Sequence, residues 1–182
     1  MKSKILLLAL LTSFQFSQAQ KLITKTGHIW FYSKTPLEEI EAHNRQTVST
    51  LDPATGEIVF MLLVKSFEFK RDLMQEHFNE NYMESEKYPK ATYKGKITNL
   101  DKINFKKDGV YNAEVSGDMT IHNATKPLSA KGTLEVKGGT VIVNAKFLTT
   151  AHDWDIEIPS VVEDKIAKQI AVTVEANYTP NP

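Results

Sequence analysis

The chain has 182 residues, with 22 basic and 22 acidic side chains, 41% hydrophobic residues and no cysteine. The even charge excludes a strongly basic nucleic-acid binder and a charge-repelled disordered chain, and the apolar content suffices for a single domain with a sizeable core. Absent cysteine excludes disulfide frameworks, thiolate zinc sites, iron–sulfur clusters and cysteine nucleophiles; a domain of this length buries roughly 70% of its unfolded surface and stands without such staples.

Lys2 and Lys4 precede the apolar run Ile5–Leu11, which fades through Phe14 and Phe16, and Ser17 and Ala19 place small residues where a signal peptidase needs them. This predicts a secretory signal peptide over residues 1–19, cleaved before Gln20, and one domain over 20–182. The apolar stretch is about a dozen residues, short of the roughly 20 that span a bilayer. No cysteine follows the predicted cleavage point to carry a lipid anchor. Export without cysteine is expected to mean a periplasmic or secreted protein.

Gly27–Ser33 is a β-branched and aromatic run and predicts a strand. Thr35–Ala42 opens with Pro36 and spaces Leu37, Ile40 and Glu41 as a helical turn would. Asn44–Leu51 reads as a polar strand, Asp52–Gly56 as a hairpin turn, and 57–69 as a strand apolar on both faces and so covered on both. Over 71–83 the period changes. Leu73, Met74, His77, Phe78, Asn81 and Tyr82 share one side of a helix, with Asp72, Gln75, Glu76, Asn79 and Glu80 opposite.

Beyond residue 90 the period is two. Tyr93, Gly95 and Ile97 share a face, and so do Tyr111, Ala113, Val115, Gly117, Met119 and Ile121. Leu134 and Val136 repeat the pattern, Gly138-Gly139 makes a two-residue turn, and Val141–Phe147 and Ile170–Tyr178 close the series. About eight antiparallel strands with one packed face and one short amphipathic helix predict an all-β fold. A closed barrel with room for a small ligand is one solution, and a two-sheet sandwich is the other.

Little in the sequence promises chemistry. His28, His43, His77, His122 and His152 show no metal-ligand spacing. Asp153 and Asp155 flank Trp154 as a cation pair would, or as solvated charges on a loop rim. A nucleophile elbow and a phosphate-cradling loop are both missing. Arg71-Asp72 at the helix start is explained by the macrodipole alone. No catalytic residue, metal ligand or cofactor is therefore assigned. A binding protein is the leading expectation, against a filled structural or interaction module or a hydrolase with an unrecognised site.

Two segments carry a family resemblance. Phe69–Leu73, Glu76–Phe78 and Lys87–Tyr93 resemble the central signature of the YceI-like family, and Gly117–Pro127 resembles its second, with Asn123-Ala124 where glycine is usual. The resemblance covers about residues 25–178. It implies a lipocalin-like barrel, typically periplasmic and often a homodimer, that binds an isoprenoid lipid or quinone-like molecule in an apolar tunnel. The family's usual opening Asp and His-Ser pair is replaced here by Gly27–Ser33, so no headgroup-binding residue carries over. The expected tunnel lining is Trp30, Phe60, Leu62, Phe67, Leu73, Phe78, Tyr82, Met119, Ile121 and Phe147, with Val59 and Met61 replacing Phe60 and Leu62 if that strand is turned by one residue. The absence of a basic patch gives no indication of membrane docking.

Overall fold

The computed structural model describes residues 20–180, so the predicted signal peptide lies outside the described residues. Eight long strands follow one another as antiparallel neighbours: β1 Leu22–Lys34, β2 Glu39–Leu51, β3 Glu57–Leu63, β5 Lys90–Ile97, β6 Gly109–Ile121, β7 Ala124–Lys137, β8 Thr140–Thr149 and β9 Ile170–Pro180. β9 pairs with β1, which closes the sheet into a barrel and removes its edges. A two-residue strand, β4 Glu68–Phe69, continues the wall beside β2, where Phe69 pairs with Ala42 after β3 has ended.

The turns are where their chemistry puts them. Gly138 and Gly139 both have positive φ, 56° and 83°, in the two-residue link between Lys137 and Thr140. Gly56 ends the β2–β3 turn at φ 76°, and the Asp52 carboxylate accepts from the Ala54 and Thr55 amides. Gly117 faces Gly95 across β5 and β6, and a Cβ on it would collide with the Lys94–Gly95 backbone. The strands approach that closely because neither has a side chain there.

Helix α1, Asp72–His77, runs into a wider π-type turn at Phe78–Tyr82. Together they occupy the helical segment expected from periodicity. Three other expectations are corrected. Thr35–Ala42 is a tight turn followed by β2, with Glu39 and Glu41 exposed and Ala42 buried, a strand alternation. The strand from Glu57 stops at Leu63, and a 3₁₀ turn, Val64–Ser66, interrupts it before β4. Its outer face is not covered: Met61 and Leu63 are exposed, while Ile58 and Leu62 are buried.

The core is packed solid at one end. Leu22, Leu51, Leu134, Val136, Val141 and Tyr178 are buried on strands paired with one another there, and Ile103 covers them from the β5–β6 loop. The Tyr178 hydroxyl is 2.6 Å from Ser49 Oγ, which donates to the Val59 carbonyl. Burial pushes the Tyr178 phenol above its ordinary range.

Bulges set the phase of the wall. Between Ile23 and His28, β1 has one more residue than β9 opposite, so the inward residues pass from Leu22 and Thr24 to Ile29 and Phe31. In β2 the buried set shifts likewise, from Thr47 to Asn44. Asn44 holds that irregularity: its amide donates to the Leu63 carbonyl, and its oxygen accepts from the Gln46 amide and the Thr47 hydroxyl.

Candidate ligand-binding site

Above the packed end the barrel is hollow. An inner cavity of about 120 Å³ is lined by Ile58, Phe60, Leu62, Met119 and Phe147, among others. An outer cavity of about 180 Å³ is lined by Phe31, Phe67, Phe69, Phe78, Tyr82 and Trp154, among others. They lie in series along the strands. Ile29, Phe147 and Val174 face the inner one, Phe31, Thr149 and Ile170 face the outer one, and Val172 faces both. Both volumes fall below the roughly 300–1,000 Å³ usual for small-molecule sites, so each cavity is narrow.

The outer cavity has an aromatic wall. Phe78 stacks on Phe31 with ring centroids 5.5 Å apart and lies 4.9 Å from Phe69 and 5.7 Å from Phe67. Its opposite side comes from the 150–169 segment. Trp154, buried in a 3₁₀ turn, donates from Nε1 to Thr149 Oγ1 at 2.7 Å. The Thr150 amide donates to Asp153 Oδ2 and the Asp153 amide to Thr150 Oγ1. Hydrogen bonding by the Thr150 side chain and the Thr150 amide lowers the Asp153 carboxyl below its ordinary value. Asp153 thus caps a turn, Asp155 takes a left-handed conformation at φ 55°, and no cluster of metal-binding side chains occurs among the described residues.

Polar groups facing the cavities are engaged by the protein. Ser33 Oγ accepts from the Ala167 amide, and the Tyr93 hydroxyl donates to the Leu128 carbonyl. Burial raises the Tyr93 phenol. The arrangement can desolvate a long apolar molecule.

The expected lining residues divide accordingly. Phe60, Leu62, Met119 and Phe147 line the inner cavity, and Phe67, Phe78 and Tyr82 the outer one. Ile121 packs against the core between them and lines neither. Leu73 is 61% exposed, because about 100° of rotation separates it from its neighbour Met74, which does line the outer cavity. Trp30 stands outside the barrel, turned there by the phase shift in β1, and stacks on His28 at 4.4 Å. Residues not anticipated as lining include Phe31, Phe69 and Trp154. The isoleucines at 156 and 158 alternate with charges, a faint strand-like signal in a segment without a long period.

Outside the wall Arg45 Nη1 lies 3.4 Å from His28 Nδ1, His28 Nε2 lies 3.0 Å from His43 Nδ1, and His43 Nε2 lies 3.5 Å from Glu41 Oε1. Arginine only donates, so neutral His28 carries its proton on Nε2 and donates to His43, whose own proton faces Glu41. Burial, then Arg45 and His43, lowers the His28 pKa.

The two signature segments meet in space. Thr92 and Tyr93 pair with Thr120 and Met119, the Tyr88 ring lies 4.3 Å from that of His122, and His122 Nε2 is 3.0 Å from Glu84 Oε1. Hydrogen bonding to His122 lowers the Glu84 carboxyl. Both residues have positive φ, 41° and 53°.

Comparison with known proteins places this architecture. The model of the YceI-like domain matches residues 15–178. None of the curated protein sequences is similar to this one. Among solved structures, a polyisoprenoid-binding domain from Saccharophagus degradans, implicated in plant cell wall breakdown, superposes with a TM-score of 0.77 at 13% identity, over 90% of this chain and 99% of that one. BcnA of Burkholderia cenocepacia gives 0.70 at 16% identity, over 84% and 96%. The YCEI protein of Campylobacter jejuni gives 0.56 at 11% identity over the whole of both chains. At such identities these likenesses concern the fold. The family model spans most of the sequence, and the chain belongs to the YceI-like domain family.

Proposed function

We propose that this protein is an exported, non-enzymatic carrier that holds a long isoprenoid chain, a polyprenyl lipid or an isoprenoid quinone, in the barrel tunnel. The observation that carries this is the pair of apolar cavities in series, whose polar groups Ser33, Thr149 and Tyr93 are already bonded to the protein. The polyisoprenoid-binding domain with the same fold supports the choice of ligand class. Lys2, Lys4, the Ile5–Leu11 run and Ser17-x-Ala19 support export.

Energetics favour exchange over tight capture. Each buried methylene is worth about 0.8 kcal/mol against water, and eight isoprene units at that rate would exceed the practical ceiling of about 18–21 kcal/mol. The relevant reference is the bilayer, which is as apolar as the tunnel. The protein needs only to match it.

The test is uptake. Purified protein incubated with a dispersed polyprenyl quinone should retain it through gel filtration in a fixed molar ratio. A protein that neither carries lipid nor takes up quinone would leave a structural barrel in place of a carrier. N-terminal sequencing of the exported protein should begin at Gln20, and an intact Met1 on membrane-retained protein would contradict export.

A further inference from the structure

Three of the most exposed large apolar side chains among the described residues surround one end of the barrel. Val161 is 85% exposed, Leu37 67% and Leu73 61%. They stand on three separate segments, and each segment is flanked by residues lining the outer cavity: Ser33 and Ile40 about Leu37, Phe69 and Met74 about Leu73, Ile158 and Ile166 about Val161. The segments are held in place. Arg71 donates to Glu38 at 2.7 Å, joining the first two, and the Ala167 amide donates to Ser33, joining the first and third. A single exposed leucine needs no explanation. Three around one end of an apolar tunnel whose other end is packed solid form a common rim.

We propose that this rim docks on a lipid bilayer of neutral headgroups, with Leu37, Leu73 and Val161 entering the headgroup–acyl boundary. The proposal rests on the tunnel being a carrier site. A long apolar chain that crossed water between membrane and tunnel would expose its whole surface, and a rim seated in the bilayer avoids that step. Charge selects the kind of membrane. The rim segments 34–39, 68–76 and 157–168 hold more acidic than basic side chains, so an anionic surface is disfavoured and an uncharged one is not. Apolar insertion is also insensitive to salt.

Flotation with phosphatidylcholine vesicles tests the rim, and quinone uptake tests the tunnel separately. The wild-type protein should float with the vesicles equally at low and high salt. The double variant Leu37→Asp/Val161→Asp, both exposed positions that folding does not need, should float at least about tenfold less. It should take up dispersed polyprenyl quinone like the wild type and extract it from vesicles at least about tenfold more slowly. Val110→Asp, equally exposed on β6 at the packed end, should change nothing. Failure of the wild type to float, equal flotation of the double variant, or binding that needs anionic lipid and vanishes in salt would overturn the proposal. Self-association abolished in the double variant, without flotation of the wild type, would assign the rim to a second copy and overturn it too. Flotation that depends on Leu37 and Val161 without quinone uptake by either protein would remove the carrier and leave the docking surface standing.

Discussion

Ser33 and Ala167, 134 residues apart in the chain, are joined by a 2.9 Å hydrogen bond from the Ala167 amide to the Ser33 hydroxyl. Ser33 is almost fully buried at the upper end of β1, and Ala167 closes the segment that roofs the outer cavity. This bond fastens the roof to the wall. Ser33→Ala should cost about 1–2 kcal/mol, the penalty of an amide left without a partner. Hydrogen exchange should quicken in residues 150–169 well before it does in β6 and β7. Equal protection in the variant would mean the roof is held by its packing alone.

Met119 lines the inner cavity and is buried in the wall of β6. Met119→Trp should occupy ligand space, so bound lipid falls while thermal stability changes little. In a filled core the same change overpacks and costs about 1–3 kcal/mol with no ligand to lose. Thermal unfolding and extracted lipid, measured on one preparation, separate the two outcomes.

Tyr178 makes a prediction at high pH. Its folded pKa is raised by burial above the ordinary value of 10.0, so the neutral phenol stabilises the fold fully below that pH. The contribution is lost as pH rises past 10, because the unfolded chain ionises first. Tyr178→Phe should lower stability at neutral pH by about 0.5–1.5 kcal/mol for the lost hydrogen bond, and should flatten the decline above pH 10. An unchanged decline would place its origin in other groups.

His28 acts in the acid range. Its folded pKa is depressed below 6.5 by burial, Arg45 and His43, so its neutral form contributes stability above that value, which is lost as pH falls through the folded pKa. Protonating Nδ1 also sets two donors, His28 and Arg45, against each other. Trp30, stacked on His28, reports the change. Its fluorescence should titrate below pH 6.5 in the wild type and not in His28→Gln. Titration surviving in the variant would trace the signal to another group.

Legibility in the sequence followed period. β6 alternates from Tyr111 to Ile121 without a break, and the face expected to be packed is the face that looks inward. Gly138-Gly139 names its own turn, and the polar and apolar sides of 71–83 announce a helix. Trp30 was misplaced because a bulge adds one residue in β1 that no side-chain pattern marks, and every residue beyond it changes face. Thr35–Ala42 imitates a helical turn, since Leu37, Ile40 and Glu41 fit either period over so few residues. Leu73 and Met74 are adjacent on a helix of six residues, too short for its sequence to fix which of the two faces the barrel. Trp154 was hidden for a different reason: its roof is built of 3₁₀ turns and hydrogen bonds between distant residues, neither of which leaves a repeat.

Native mass spectrometry of protein released from its own cells without detergent tests the central claim most directly. The account predicts a second mass series above the bare chain, offset by the mass of an isoprenoid lipid or quinone, and diminished in Met119→Trp. A single series at the mass of the bare chain, unchanged after incubation with polyprenyl quinone, would contradict it.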